Sequence, residues 1–257
     1  MINELKNSFI NFKMLCVISV GTGLFLFELF AIERIHLNDW NMFGESRICI
    51  ICDVISLSIF TLVAGMFPGI PYAQSFIFER ESGYYRYKLI RTKTKRYIAT
   101  KVLCAGLSGA VAMTIPYILL CIPAYMVGTK VDLGDNVEVL VGTVWNDVLI
   151  KYGDNLVIVL KGVLFMLFGI LWSEFALLMS IMISNKYLAF IMPYIIYELL
   201  FFTANNSIVI AINPRFMLRY DVSDKYPILL PYIMFLIYII AVILLIYNRL
   251  KRYLYNE

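Results

Sequence analysis

Few residues in this chain are equipped to make or break bonds. The single histidine, His36, has no carboxylate or cysteine cluster around it in the sequence. Cys49 and Cys52 have CxxC spacing, but no second Cys or His pair completes a zinc set. The cysteine count is five, an odd number, which argues against a disulfide framework and for packing thiols. No Gx4GK[ST] phosphate loop is present, so the chain does not hydrolyse ATP by that route. An HExxH metal pair is also missing, and nothing suggests a buried Ser–His pair. The expected reading is a non-enzyme with no catalytic, cofactor or metal residues of its own.

Two kinds of charged feature remain. The first is a set of acids inside apolar runs: Glu28, Asp53, Glu174 and Glu198. At mid-bilayer each costs about 2.5–3.5 kcal/mol on insertion scales, so each should face protein or water. Around Glu198 the apolar neighbours still favour insertion, at about 0.3–0.5 kcal/mol each. Glu28, Asp53 and Glu198 are candidates to line a translocation path. The plainer alternative is hydrogen bonding between helices, or a protonated carboxyl. Lys161 is expected to snorkel from the outer end of its span.

The second feature is a basic island from Phe78 to Lys101. Arg80, Arg86, Lys88, Arg91, Lys93, Lys95, Arg96 and Lys101 stand there against only Glu79 and Glu81. Tyr84, Tyr85 and Tyr87 are interleaved with these charges. A block of this kind fixes the side of a membrane on which a loop sits. It is also the best candidate for a docking surface, since aromatic side chains anchor and charges steer.

The elements that position these residues follow from composition. The chain has 257 residues, 61% of them hydrophobic and 16% charged, where a soluble domain is about half apolar and about a quarter charged. It is read as one polytopic membrane domain, with no soluble domain large enough to fold alone. The net charge of +4 comes almost wholly from the island, so membrane topology explains it better than nucleic-acid binding. The abundance of Ile, Lys, Tyr and Asn fits an AT-rich bacterial genome.

Six runs are long enough to span: 14–32, 48–67, 102–127, 156–182, 186–204 and 228–248. Lys and Arg counts place both termini and the island on the cytoplasmic side, and the acids Asp132, Asp135, Glu138, Asp147 and Asp154 outside. Ile2, Leu5, Phe9 and Phe12 form one apolar stripe, predicting a short helix on the membrane surface within 1–13. Pro68-Gly69-Ile70-Pro71 should break the second span. Residues 72–81 resume a helix, Ser82-Gly83 breaks it, and 84–90 form another. Thr92 or Thr94 is expected to cap the helix that enters the third span. The island and its approach, 68–101, thus form a helical hairpin projecting into the cytoplasm. Between the last two spans, 204–227 holds the short apolar run Ile208–Ile212, bounded by Asn205-Asn206 and Asn213-Pro214. It reads as a re-entrant piece or as an outer loop on the headgroups. The halves do not align in hydropathy, which argues against an inverted-repeat transporter.

This layout is similar to that of the ABC-2 type transporter permeases. The sharpest match is Phe78-Glu79-Arg80-Glu81-Ser82-Gly83, then Leu89-Ile90, Tyr97 and Lys101-Val102-Leu103. It resembles the coupling stretch of that family. The resemblance covers the whole chain in layout but only 78–103 in motif. It implies an all-α membrane protein: six transmembrane helices, an N-terminal interfacial helix, a cytoplasmic coupling hairpin between spans two and three, and a re-entrant segment between spans five and six. It implies a multi-pass subunit of the bacterial cytoplasmic membrane that pairs with an ABC ATPase subunit dimer and a second permease copy. ATP and Mg would be bound by the partner. Coupling would fall to Glu79, Arg80, Glu81, Gly83, Tyr84, Tyr85, Arg86 and Tyr87, and the substrate path to spans two and five. An exported amphipathic substrate, such as a peptide, suits the outer-half acids. The competing reading is a membrane scaffold or channel-like protein without a motor.

Overall fold

The computed structural model describes residues 2–36, 46–135, 137–203, 207–219 and 222–255. Among these residues the chain is all-α. The only bridges outside helices are the isolated pairs Ser46–Thr129 and Thr143–Ser223. Thirteen α-helices are described. They are α1 (Ile2–Phe9), α2 (Phe12–His36), α3 (Arg47–Leu57), α4 (Ile59–Val63), α5 (Ser75–Glu81), α6 (Tyr84–Arg91) and α7 (Thr94–Val127). There follow α8 (Val144–Tyr152), α9 (Asp154–Met182), α10 (Lys186–Leu199), α11 (Ser207–Ile212), α12 (Pro214–Met217) and α13 (Leu229–Tyr255). Five helical segments, those built on α2, α7, α9, α10 and α13, are long and apolar enough to cross a membrane.

The packing centre is the pair α7 and α9. Glycine sets their closeness: a Cβ on Gly109 would lie 2.3 Å from the Gly169 carbonyl oxygen, and one on Gly169 would lie 2.2 Å from that of Gly109. Small residues let transmembrane backbones approach in this way. Beside the crossing, Ser173 Oγ donates to the Ala105 carbonyl at 2.7 Å. Further along, Tyr117 donates to the Ile158 carbonyl, also at 2.7 Å. α2, α3, α10 and α13 pack around this pair. The apolar residues that remain exposed, Phe27, Phe30, Leu103, Ile118, Val159 and Leu244 among them, suit a lipid surround.

The second expected span, 48–67, is not one helix. Ser58 interrupts it with φ −62° and ψ 138°. Its N–H closes α3 onto Val54, and its hydroxyl accepts from Phe60 N at 3.0 Å to start α4. One serine therefore ends one helix and caps the next. Phe60 is then carried into the core, with its ring 4.3 Å from that of Phe25 and 5.2 Å from that of Phe67. The expected break at Pro68 is present as the short 3-10 turn Phe67–Gly69.

Three local expectations are corrected. The helix into the third span starts after Lys93, which provides no side-chain cap, and Thr92 instead donates to the Lys88 carbonyl at 2.7 Å. The N-terminal helix ends at Phe9, and Phe12 opens α2 with its ring exposed, so Phe12 is not part of the first helix's stripe. Asn11 separates the two, accepting from Met14 N at 2.6 Å. Lys161 does not snorkel. It is fully buried, donates to the Leu218 and Arg219 carbonyls at 3.3 and 2.5 Å, and sits 4.3 Å over the Trp145 ring. The run Ile208–Ile212 lies within α11, followed by α12; Asn205 and Asn206 fall outside the described residues.

Candidate functional site

The basic island folds as the hairpin α5–α6, returning into α7. Gly83 makes the corner with φ +69°, a conformation glycine adopts without a steric penalty. No atom lies within 4 Å of where its Cβ would be, so the backbone angle alone asks for glycine here.

The hairpin is held by charge from within. Glu79 accepts from Lys88 Nζ at 2.5 Å, Lys101 Nζ at 2.7 Å and the Tyr97 hydroxyl at 2.6 Å. Lys101 also donates to Ser75 Oγ at 2.9 Å, and its side chain is 1% exposed. Lys88 additionally pairs with Glu4 of α1, whose other oxygen accepts from the Tyr72 hydroxyl at 2.7 Å. Two carboxylates and two ammoniums thus alternate across α1, α5, α6 and α7. Arg80 closes the far side by donating to the Ile183 and Ser184 carbonyls at 3.0 and 3.1 Å, just past the end of α9.

This network sets the protonation of its outer members. Burial pushes the Glu4 carboxyl up, but Lys101 and Lys88, with the Tyr72 hydroxyl, outweigh it and hold Glu4 below its usual 4.5. Burial pulls Lys88 down, but its bonds to Glu4 and Glu79 outweigh that and hold it above 10.5. Burial and the Glu4 carboxylate push the Tyr72 hydroxyl far above its ordinary range, so it stays a donor. The Glu4–Lys88 pair is therefore charged throughout the neutral range.

The coupling candidates divide into two faces. Glu79 and Arg80 point into the fold and hold the hairpin in place. Tyr85 is also buried, with its ring 6.1 Å from that of Tyr253 on α13 and Phe76 nearby, so it is not free to anchor a partner. Glu81, Tyr84, Arg86 and Tyr87 face outward, joined by Ile90 and Arg91. Ile90 is 82% exposed and Tyr87 66%. Tyr84, Tyr87 and Arg91 share one side of α6, by their spacing of three and four residues. They border a cleft of about 760 Å³ that also takes in Lys88, Arg96 and Tyr97.

The acids Glu28, Asp53 and Glu198 lie on three different helices, α2, α3 and α10, and none borders the two cavities flanking the hairpin. Asp53 accepts from Cys49 Sγ at 3.5 Å, a contact from the preceding turn of α3. Glu198 pairs with Arg215 of α12 at 2.9 Å. That guanidinium also lies 4.8 Å from the Tyr197 ring and 4.9 Å from the Phe201 ring. The geometry gives Glu198 a structural partner. Glu174 is buried against Gly106, whose Cβ would come within 2.8 Å of its Oε1.

Three residues that matter here, Glu4, Lys101 and Arg215, have partners that no local pattern in the sequence marks. Glu4 lies outside the apolar stripe of the N-terminal helix and reaches into the hairpin network. Lys101 belongs to the basic island by sequence, yet it is buried. Arg215 is buried and pairs with Glu198, 17 residues away. All five cysteines are free thiols. Among the described residues no group of three or more His, Cys, Asp or Glu side chains is placed to hold a metal.

No family model matches the chain. No curated protein matches it either.

Proposed function

We propose that this chain is the membrane subunit of an ATP-driven exporter of the ABC-2 permease type, in a bacterial cytoplasmic membrane, with both termini and the hairpin inside the cell. In this reading α3 and α4 together make the second of six spans, α11 and α12 form the re-entrant segment, and an amphipathic substrate such as a peptide is exported. ATP and Mg belong to a separate ATPase dimer, and a second permease copy completes the path.

One observation carries the reading. The hairpin is stiff on its inner side and open on its outer side. Glu79, Lys101, Lys88, Glu4 and Arg80 tie it to α1, α7 and the end of α9. Tyr84, Tyr87, Ile90 and Arg91 are left exposed on α6. An exposed aromatic and cationic patch on a rigid mount suits a partner that must push on the membrane helices rather than merely adhere. A scaffold without a motor gives no reason for the buried charged mount.

The test is purification of the tagged full chain from native membranes. A phosphate-loop ATPase should accompany it. Changing Tyr87→Glu together with Ile90→Asp should reduce that yield by about tenfold or more, given what a buried aromatic anchor contributes to an interface. The same variant should keep its thermal midpoint, since both side chains are exposed. If wild type and variant both come without any nucleotide-binding partner in an active membrane, the reading fails.

A further inference from the structure

We propose that the cleft between α6 and the first turns of α7 binds the phosphate of an anionic membrane-lipid headgroup. The site stands whether or not the chain is a permease. It shares Tyr84, Tyr87 and Arg91 with the α6 edge offered above to an ATPase.

Two helical faces make the cleft. α6 contributes Tyr84, Lys88 and Arg91, at steps of four and three residues, and α7 contributes Arg96, Tyr97 and Thr100. Such spacings put each set on one side of its helix. Only Thr92 and Lys93 separate the two helices, so the faces close on each other at that link. Glu4 of α1 completes the lining, and the volume of about 760 Å³ is within the range of small-ligand sites.

The charge in the lining is unbalanced. Lys88, Arg91 and Arg96 stand against one carboxylate, that of Glu4. Lys88 is engaged by Glu4 and Glu79, and Glu4 is engaged by Lys88 and the Tyr72 hydroxyl. Tyr97 donates to Glu79, Thr100 to the Arg96 carbonyl and Thr92 to the Lys88 carbonyl. Arg91 and Arg96 differ from all of these. Both are exposed, and among the described residues neither guanidinium has a hydrogen bond, ion pair or ring contact. Two unmatched guanidiniums lining one cleft repel each other, and an anion held between them relieves that repulsion. The guanidinium fork matches a phosphate through two parallel hydrogen bonds.

Depth in the membrane selects the source of that phosphate. α7 has 34 residues, about 50 Å at about 1.5 Å per residue, against a hydrocarbon core of about 30 Å. Its first two turns, which carry Arg96 and Thr100, therefore reach past the core into the headgroup layer. α1 lies at the same level, since only Ile10 and Asn11 separate it from Phe12, where the first apolar span begins. Tyr84, Tyr87 and Tyr97, which line the cleft beside the cations, are residues that favour this layer. A headgroup of net negative charge fits. A choline headgroup would bring its own cation to a lining already short of carboxylates. Bound there, the phosphate ties α6 to α7 across their link.

The experiment uses the full chain in neutral detergent micelles, where no bilayer surface charge acts. Dioleoyl-phosphatidylglycerol or dioleoyl-phosphatidylcholine is titrated in, and native mass spectrometry reads the lipid-bound fraction. Phosphatidylglycerol should bind about tenfold tighter or more. Arg91→Gln with Arg96→Gln should weaken it by about tenfold or more, as loss of charge-assisted hydrogen bonds does. Lys93→Gln with Lys95→Gln removes the same charge from exposed positions outside the lining, and should weaken it by less than about threefold. Arg91→Lys with Arg96→Lys keeps the charge but not the fork, and should fall between wild type and the glutamine pair. All these side chains are exposed, so every variant should keep the wild-type thermal midpoint. Equal binding of the two lipids, or equal losses in the arginine and lysine pairs, overturns the proposal. So does displacement of the lipid by inorganic phosphate at equal concentration, which would give the cleft to a soluble phosphate.

Discussion

Lys101 Nζ lies 2.7 Å from Glu79 Oε1, with the lysine side chain 1% exposed and the glutamate 13%. The two residues are 22 apart in the chain. The bond ties the hairpin's first helix to the root of α7, which forms the central packing pair with α9. A buried pair of this sort adds little net stability against an apolar replacement, but breaking it leaves a charge stranded. Lys101→Met should therefore cost about 3 kcal/mol or more, because Glu79 keeps only part of its counter-charge. Combining Lys101→Met with Glu79→Gln should recover most of that loss. Thermal unfolding of the four proteins in detergent would measure it, and strict additivity would contradict the coupling.

The clasp between Glu4 and Lys88 should respond to pH at both extremes. Glu4 is held below its ordinary 4.5, so its contribution is fully present above that value and fades as pH falls through the lower folded value. Lys88 is held above 10.5, so its contribution is fully present below that value and fades as pH rises through the higher folded one. Between those limits the docking of α1 should be flat with pH. Hydrogen exchange of the α1 amides, or the fluorescence of a probe placed on α1, would follow this, and Glu4→Gln should abolish the acid limb.

The crossing of α7 and α9 should tolerate no side chain. Gly109→Ala would press a methyl to 2.3 Å from the Gly169 carbonyl, and backbone there has no easy escape. We expect a loss of about 2 kcal/mol or more, in line with overpacked cores. Gly23→Ala is the control. Nothing lies within 4 Å of its Cβ position, and alanine is favoured over glycine in a helix by up to about 1 kcal/mol. Opposite shifts in thermal midpoint are the expected outcome.

Glu198 and Arg215 should behave unequally. Arg215 has only 7% of its side chain exposed and holds the Tyr197 and Glu198 carbonyls, at 3.4 and 3.5 Å, as well as the carboxylate. Arg215→Met removes all of these contacts and should cost about 2–3 kcal/mol, as loss of a buried charged hydrogen-bonding group does. Glu198→Gln leaves the carbonyl bonds and both aromatic faces, so it should cost under about 1 kcal/mol. Thermal melts separate the two, and export of substrate unaffected by Glu198→Gln would remove that acid from the path.

Much of the architecture is legible in the sequence, because bilayer length is a local property. The runs at 14–32, 102–127, 156–182, 186–204 and 228–248 correspond to α2, α7, α9, α10 with its 3-10 extension, and α13. The Gly83 corner is equally local, since only the backbone there demands glycine. The break at Ser58 is not legible locally, because a serine inside an apolar run reads as tolerated helix, and only its contacts to Val54 and Phe60 reveal it. Lys101, Lys161 and Arg215 are all buried, for one shared reason that the local sequence does not show. Charge is visible in sequence, whereas the partner that permits its burial sits 17 or more residues away. Among three neighbouring tyrosines, nothing local could tell that Tyr85 is covered by Tyr253 while Tyr84 and Tyr87 are bare.

The most direct measurement is site-specific photocrosslinking from Tyr87, replaced by p-benzoylphenylalanine in the full chain within native membranes. The account predicts an ATP-sensitive adduct to a polypeptide that carries a phosphate loop, formed on the cytoplasmic face and lost in Gly83→Val, which cannot hold φ +69° without strain. An adduct only to lipid, or a position 87 reachable solely from outside the cell, would contradict it.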